Sequence, residues 1–173
     1  MHLPFDGGAL RSFRHEDATE LARLANNVKV WLQLRDAFPY PYRLEDARRF
    51  LDAHVGLTPE SVLALETEGS LAGSIGVKLG TDVERVSAEI GYWVAEPFWG
   101  RGLGTAALLA ATAWAFSTFP LTRIFAVPFA RNTASCRVLE KAGYALEGRM
   151  QQSAIKQGEV LDQLLYATYR SRG

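Results

Sequence analysis

The sequence predicts an α+β fold: a mixed, mostly antiparallel sheet of seven strands flanked by about four helices. Three observations predict it. Apolar residues alternate with period two through the middle and the end of the chain, as in half-buried strands. Around that meander they recur at three- and four-residue spacing, as on one face of a helix. A glycine cluster, Gly100-Arg101-Gly102-Leu103-Gly104, joins a strand directly to a helix. The resulting order is β-α-α-β-β-β-α-β-α-β-β.

Ala9 to Arg14 reads as the first strand. Asp17 then caps a helix, with Glu20 three residues on as in a capping box. Leu21, Leu24, Val28 and Leu32 give that helix a buried face. Pro39 and Pro41 break the chain, and a second helix, Leu44 to Val55, carries Ala47, Phe50, Leu51 and His54. Val62 to Glu66 is the next strand, and Glu68-Gly69-Ser70 turns it into another in which Ile75, Val77 and Leu79 alternate with polar or small residues. Between Val86 and Ala95 the alternation puts Ala88, Ile90, Tyr92 and Val94 on one face, with Glu89, Gly91 and Trp93 on the other. Leu103, Ala107, Ala110 and Trp114 form the stripe of the helix that the glycine cluster opens and Pro120 ends. Arg123 to Val127 is a strand. Asn132 can cap the last helix, which stops at Gly143 with Lys141 in its final turn. Tyr144 to Ile155 and Glu159 to Tyr169 flank a Gln157-Gly158 turn as a closing hairpin.

A chain of 173 residues fits one domain, 1–173, and can bury a core without disulfides or metal. Lys and Arg together number 19, as do Asp and Glu, so no general attraction to nucleic acid or to an anionic membrane is expected. Cys136 is the single cysteine and no Cys/His cluster has zinc-ligand spacing, so neither a disulfide nor a metal is expected. Met1 to Arg14 lacks the basic start and apolar run of a signal peptide, and Leu103 to Phe119 is too short and too rich in Ala, Thr and Ser to span a bilayer. The expected location is a reducing cytoplasm.

The glycine cluster carries the chemistry. Glycine lets backbone approach a ligand closely, and a helix N-terminus offers unpaired N–H groups with positive partial charge. Together they suit a pyrophosphate. The cluster lacks the Lys-[Ser/Thr] ending of a nucleotide P-loop, and it lacks the early βαβ unit and ribose-binding acid of a dinucleotide fold. A plain tight turn has the same glycines.

Ala88-Glu-Ile-Gly-Tyr-Trp-Val-Ala-Glu-Pro-Phe-Trp-Gly-Arg-Gly-Leu-Gly-Thr-Ala-Ala-Leu resembles the acyl-CoA-binding core motif of the GNAT N-acetyltransferase superfamily. About 35 residues on, Asn132-Thr-Ala-Ser-Cys-Arg-Val-Leu-Glu-Lys-Ala-Gly-Tyr144 resembles that family's next motif. The branch it looks most like contains the ribosomal-protein N-terminal (Rim-type) acetyltransferases, and Gly158-Glu-Val-Leu-Asp-Gln-Leu-Leu-Tyr166 is similar to the tail of that branch. The element order matches over nearly the whole chain. One departure is Trp99, where the family often has Gln or Arg; Trp is frequent there in this branch.

The resemblance implies a GNAT-like acyl-CoA N-acyltransferase fold and acetyl-CoA as cosubstrate. It implies an amine acceptor, a protein N-terminus or a small molecule, that attacks the thioester directly in a ternary complex. The pantetheine arm would pair with the Glu89–Ala95 strand, contacting Trp93 and Val94, with the Val94 N–H or one beside it as donor to the thioester oxygen. Gly100, Arg101, Gly102, Leu103, Gly104 and Thr105 would hold the pyrophosphate. Asn132 matches a CoA-contacting position and is equally suited to be an N-cap. Ser135 matches a position that stabilises or protonates the thiolate, although an ordinary polar helix residue has the same look. Glu89 is the candidate base, acting through water, or an ion-paired sheet carboxylate; an α-amino group with a pKa near 8 needs no strong base. Tyr166 and Asp162 fit structural roles more readily than chemical ones. Cys136 has no histidine partner nearby and reads as a buried thiol. Trp31, Phe38 and Tyr40 can line an acceptor pocket or pack as core aromatics. Homodimerisation is expected by analogy alone. The competing reading is an acyl-CoA-binding sensor or scaffold with little catalysis, and an assay against an amine panel separates the two.

Overall fold

Alternating apolar residues build the sheet that organises the molecule, whose computed structural model describes residues 1–172. In chain order the strands are β1 (His2–Phe5), β2 (Gly8–Arg11), β3 (Val62–Thr67), β4 (Ser70–Leu79), β5 (Ser87–Val94), β6 (Arg123–Ala126), β7 (Ala145–Lys156) and β8 (Glu159–Tyr169). Across the sheet they keep that order except that β8 lies between β6 and β7. Neighbours are antiparallel throughout save for β5 and β6, which run parallel.

The sheet has eight strands, where seven were expected. The addition is β1, which pairs with β2 as His2↔Arg11 through Phe5↔Gly8. Four residues with Pro4 among them give too short an alternation to stand out, but an edge position tolerates the proline.

Five α-helices flank the sheet: α1 (Ala18–Ala25), α2 (Val28–Trp31), α3 (Leu44–His54), α4 (Leu103–Thr118) and α5 (Thr133–Lys141). Period two decides which face each strand residue serves. Leu63, Leu65, Ile75, Ala88 and Ile90 pack with Leu103, Leu108 and Leu139 on the α4–α5 side. Ala64, Leu71 and Trp93 pack with Leu21, Leu24, Ala47 and Leu51 on the α1–α3 side. A fully buried leucine such as Leu51 or Leu63 contributes about 2 kcal/mol.

Three local expectations are corrected. The long first helix breaks at Asn26 and Asn27, because both amides serve the backbone: Asn26 Oδ1 accepts from the Tyr42 N–H at 3.0 Å and Asn27 Oδ1 from the Lys29 N–H at 2.9 Å. Val28 is consequently exposed. Asp17 does not form a capping box with Glu20; it accepts from the Arg14 N–H at 2.9 Å and from both terminal nitrogens of Arg11, each at 2.8 Å. Glu20 binds Arg23 instead. In α4, Leu108, Ala111 and Ala115 are buried beside Leu103, Ala107 and Trp114, while Ala110 is only partly covered. This helix is apolar nearly all round, so spacing alone does not fix its buried face.

Candidate functional site

The site begins where two parallel strands part. β5 and β6 pair only at Ser87↔Arg123, Ala88↔Ile124 and Glu89↔Phe125, although β5 runs on to Val94. Hydrogen-bonding direction alternates along a strand. The Ala95 N–H goes to Ala72 O at 2.8 Å and the Gly80 N–H to Ser87 O at 2.8 Å, so the odd-numbered residues of β5 bond to β4. The N–H groups of Tyr92 and Val94 therefore turn toward β6, into the gap. The Val94 carbonyl is taken by Trp99, whose Nε1 donates to it at 2.6 Å.

The glycine turn lies against this end of β5. Gly100 and Gly102 have φ of 76° and 73°, and a Cβ at either would meet nothing within 4 Å. The space over the turn is open. A Cβ at Gly104 would lie 3.7 Å from a Val94 methyl, so the start of α4 abuts the strand. No side chain caps α4, no acid sits in its first turn, and the first bond back to Gly102 O comes from the Ala106 N–H at 3.2 Å. The N–H groups of Leu103, Gly104 and Thr105 are left without an intrahelical partner. Arg101 turns its side chain away, to Glu68 at 3.3 Å, so its place in the turn is one of backbone.

A cavity of about 700 Å³ opens beside the gap, lined by Phe38, Glu89, Trp93, Asn132 and Ser135 among others. Asn132 caps α5: its Oδ1 accepts from the Ser135 N–H at 3.2 Å. Ser135 Oγ lies 2.9 Å from Tyr92 Oη. Burial pushes the Tyr92 hydroxyl pKa up, against the opposing effect of its hydrogen bond with Ser135, so the phenol stays protonated. Tyr92 is the residue that sequence reasoning missed. Alternation assigns it to a core face but cannot say that α5 brings a hydroxyl to its tip.

Glu89 lies in the cavity wall with its carboxylate bound to the Arg35 guanidinium. Of the three expected pocket aromatics, only Phe38 lines the cavity, against Tyr42 and Trp93 at 5.0 and 5.8 Å between ring centroids. Trp31 and Tyr40 stack on each other at 5.3 Å, and Lys156 Nζ sits 3.9 Å over the Trp31 ring while bonding Asp36 at 2.9 Å. Tyr166 is buried and donates to Glu140 at 2.9 Å, and Asp162 accepts from Arg149 and the Gln152 N–H. Burial pushes the Cys136 thiol pKa up, which suits an inert core thiol. Among the described residues no group of His, Cys, Asp and Glu is arranged to hold a metal ion, and no helix is long and apolar enough to cross a membrane.

A strand thus parts from its parallel neighbour beside a glycine-opened helix, and backbone N–H groups face the gap between them. Residues 9–145 match the family described as the acetyltransferase (GNAT) domain, and the chain belongs to that family. The uncharacterized N-acetyltransferase YoaA of Bacillus subtilis is 33% identical over 102 residues, 59% of this chain and 57% of its own. The chain thus spans little more than half the length of the first curated relatives it matches. Among solved structures, RimJ of Mycobacterium smegmatis in complex with CoA-disulfide is 26% identical, with a TM-score of 0.80 over 94% of this chain and 81% of that one. The ribosomal L7/L12 alpha-N-protein acetyltransferase RimL in complex with coenzyme A has a TM-score of 0.85 over 98% of each chain at 23% identity, a likeness of fold.

Proposed function

We propose that the protein is an N-acetyltransferase that moves an acetyl group from acetyl-CoA to a primary amine, either a protein N-terminus or a small molecule, by direct attack in a ternary complex. The observation that carries this reading is the early end of the β5–β6 pairing, which leaves the Tyr92 and Val94 N–H groups facing a gap that leads to the glycine turn.

The residues present fit acetyl-CoA. The open cradle over Gly100 and Gly102 and the free N–H groups of Leu103 to Thr105 suit a pyrophosphate. Acetyl-CoA supplies an activated acyl carbonyl and a thiolate leaving group. The backbone of β5 offers an extended thioester arm the donors and acceptors of a missing strand neighbour. The Val94 N–H is positioned as donor to the acyl oxygen, where a single donor contributes about 3 kcal/mol to the rate. Ser135 is the donor to the departing sulfur. When Tyr92 donates its proton to Ser135 Oγ at 2.9 Å rather than to the Ser135 carbonyl at 3.3 Å, the serine proton is free to point into the cavity. Arg35 already engages the Glu89 carboxylate, and the amine deprotonates in solvent and enters neutral. Asn132 keeps the Ser135 N–H occupied and so fixes the first turn of α5.

The test is a titration calorimetry series with acetyl-CoA, CoA, ATP and NAD. Selective binding of the first two is expected. Absence of CoA binding by folded protein would remove the reading.

A further inference from the structure

Gly91 stands in the interior of β5 without a reason inside the fold. Its φ is ordinary, and a Cβ there would meet nothing within 4 Å. Its register partner Gly76 differs, because a Cβ at Gly76 would press on Ser61 O and a Val62 methyl, each at 2.9 Å. An interior strand glycine gives up about 0.5–1 kcal/mol relative to alanine. A glycine inside a strand often marks a bulge, a bend or the close approach of a ligand or second backbone; the β4–β5 register runs through Gly91 without a shift, which leaves the close approach.

What lies over Gly91 is a trough. Gly91 lines the 700 Å³ cavity and also a second groove of about 570 Å³, and the two share Arg35, Val62, Gly76 and Glu89. The groove continues along β4 and β5 to His54 and Lys78. Both carboxylates that line this run are already neutralised: Glu89 by Arg35, and Asp46 by Arg49 at 3.1 Å. Lys78 stands opposite Glu89 in the register and has no ion-pair partner among the described residues. The surplus charge of the trough is positive.

We infer, resting on the amine-acetylating reading above, that the acceptor is an extended amine whose tail crosses Gly91 and carries an anionic group that Lys78 receives at the far end. A polyamine meets no free carboxylate along this path and is a poor acceptor. From Val94 back to Glu89, opposite Lys78, is five strand steps of roughly 3.3 Å, or about 17 Å. Allowing for the lysine's own reach, the anion falls near the fourth residue of an extended peptide.

The experiment uses three amidated pentapeptides with free N-termini, alike except for aspartate, asparagine or lysine in fourth place, with spermidine as a further acceptor. Acetylation rates are measured for the wild type, Lys78→Ala and Gly91→Val. Binding of the same peptides to the CoA-saturated protein is followed by calorimetry. The aspartate peptide should exceed the asparagine peptide about threefold to fivefold in kcat/KM and in affinity, as for an exposed ion pair. Lysine and spermidine should fall below both, and Lys78→Ala should bring the aspartate-to-asparagine ratio to about one. Gly91→Val should raise the peptide KM at least tenfold, with the acetyl-CoA KM unchanged and the thermal midpoint unchanged or raised, since valine favours strands. A ratio of one in the wild type, a ratio that survives Lys78→Ala, or an unaltered peptide KM in Gly91→Val overturns the inference. Binding that prefers aspartate without any acetylation supports the trough and instead overturns the catalytic reading on which it rests.

Discussion

Tyr92 Oη and Ser135 Oγ lie 2.9 Å apart, although their residues are 43 positions apart in the chain and belong to a strand and a helix. Each hydroxyl can donate to the other, but only one arrangement leaves a proton for the cavity. If Tyr92 donates, Ser135 is the outward donor. Tyr92→Phe keeps the ring and its packing and removes this orientation. It should lower kcat about threefold to tenfold with acetyl-CoA affinity unchanged, whereas Ser135→Ala should lower kcat about a hundredfold, within the range of general acid catalysis. The double variant should be no slower than Ser135→Ala, because the phenol acts only through the serine. Steady-state kinetics on the three variants check this, and additive losses would show that the two hydroxyls work separately.

Gly102 has φ of 73° and open space where its Cβ would be. Gly102→Glu puts bulk and negative charge over the N–H groups that open α4. Acetyl-CoA affinity should fall more than tenfold, while stability falls by only about 1–2 kcal/mol, the cost of a left-handed non-glycine residue. Calorimetry for binding and urea denaturation for stability separate the two. Unchanged affinity would move the phosphate site elsewhere.

Glu89 is held by Arg35, and its role as a base is best read from pH. An α-amino group with a pKa near 8 is about one-tenth neutral at pH 7 and mostly neutral at pH 9. Rates with a peptide acceptor should therefore rise through about pH 8 in the wild type and in Glu89→Gln alike, with less than a tenfold difference at either end. A hundredfold loss in Glu89→Gln across the whole range would instead make Glu89 the base.

Arg11 is buried and bound on one side to Asp17 and on the other to Glu66 at 2.5 Å. Burial pushes the Asp17 pKa up, but the bonds from Arg11 and from the Arg14 N–H outweigh it and hold the carboxyl below its ordinary value. A depressed folded pKa means that the stability Asp17 brings is complete above its unfolded pKa of about 3.9 and is lost as the pH falls through the lower folded value. Asp17→Asn should cost about 3 kcal/mol at pH 7, because it leaves a buried guanidinium short of charge. The cost should shrink below pH 4. Urea unfolding at pH 7 and pH 3 reads both, and an equal loss at the two values would assign the effect to packing.

What the sequence made legible was local. β5, the glycine turn and the start of α4 follow from period-two alternation and from glycine's freedom of φ, both written within a dozen residues. The Asn132 cap was legible for the same reason. β1 was not, because four residues around Pro4 are too few to show a period; the Asp6-Gly7-Gly8 turn was the only cue. The break between α1 and α2 was marked by Asn26-Asn27, but one of the two hydrogen bonds behind it comes from the Tyr42 N–H, which spacing cannot reveal. Trp31 and Tyr40 were read as pocket candidates beside Phe38. They stack on each other outside the cavity lining, and Lys156, from near the far end of the chain, sits over the Trp31 ring. The Tyr92–Ser135 contact and the trough over Gly91 are likewise products of packing across elements.

The most direct measurement of the central claim is a thiol-release assay with acetyl-CoA and a panel of primary amines, with the acetylated product identified by mass spectrometry. Stoichiometric CoA release and an acceptor heavier by one acetyl group are expected, with both abolished or strongly reduced in Gly102→Glu. Folded protein that binds acetyl-CoA tightly yet acetylates no amine in the panel would contradict it and leave a domain that senses acyl-CoA.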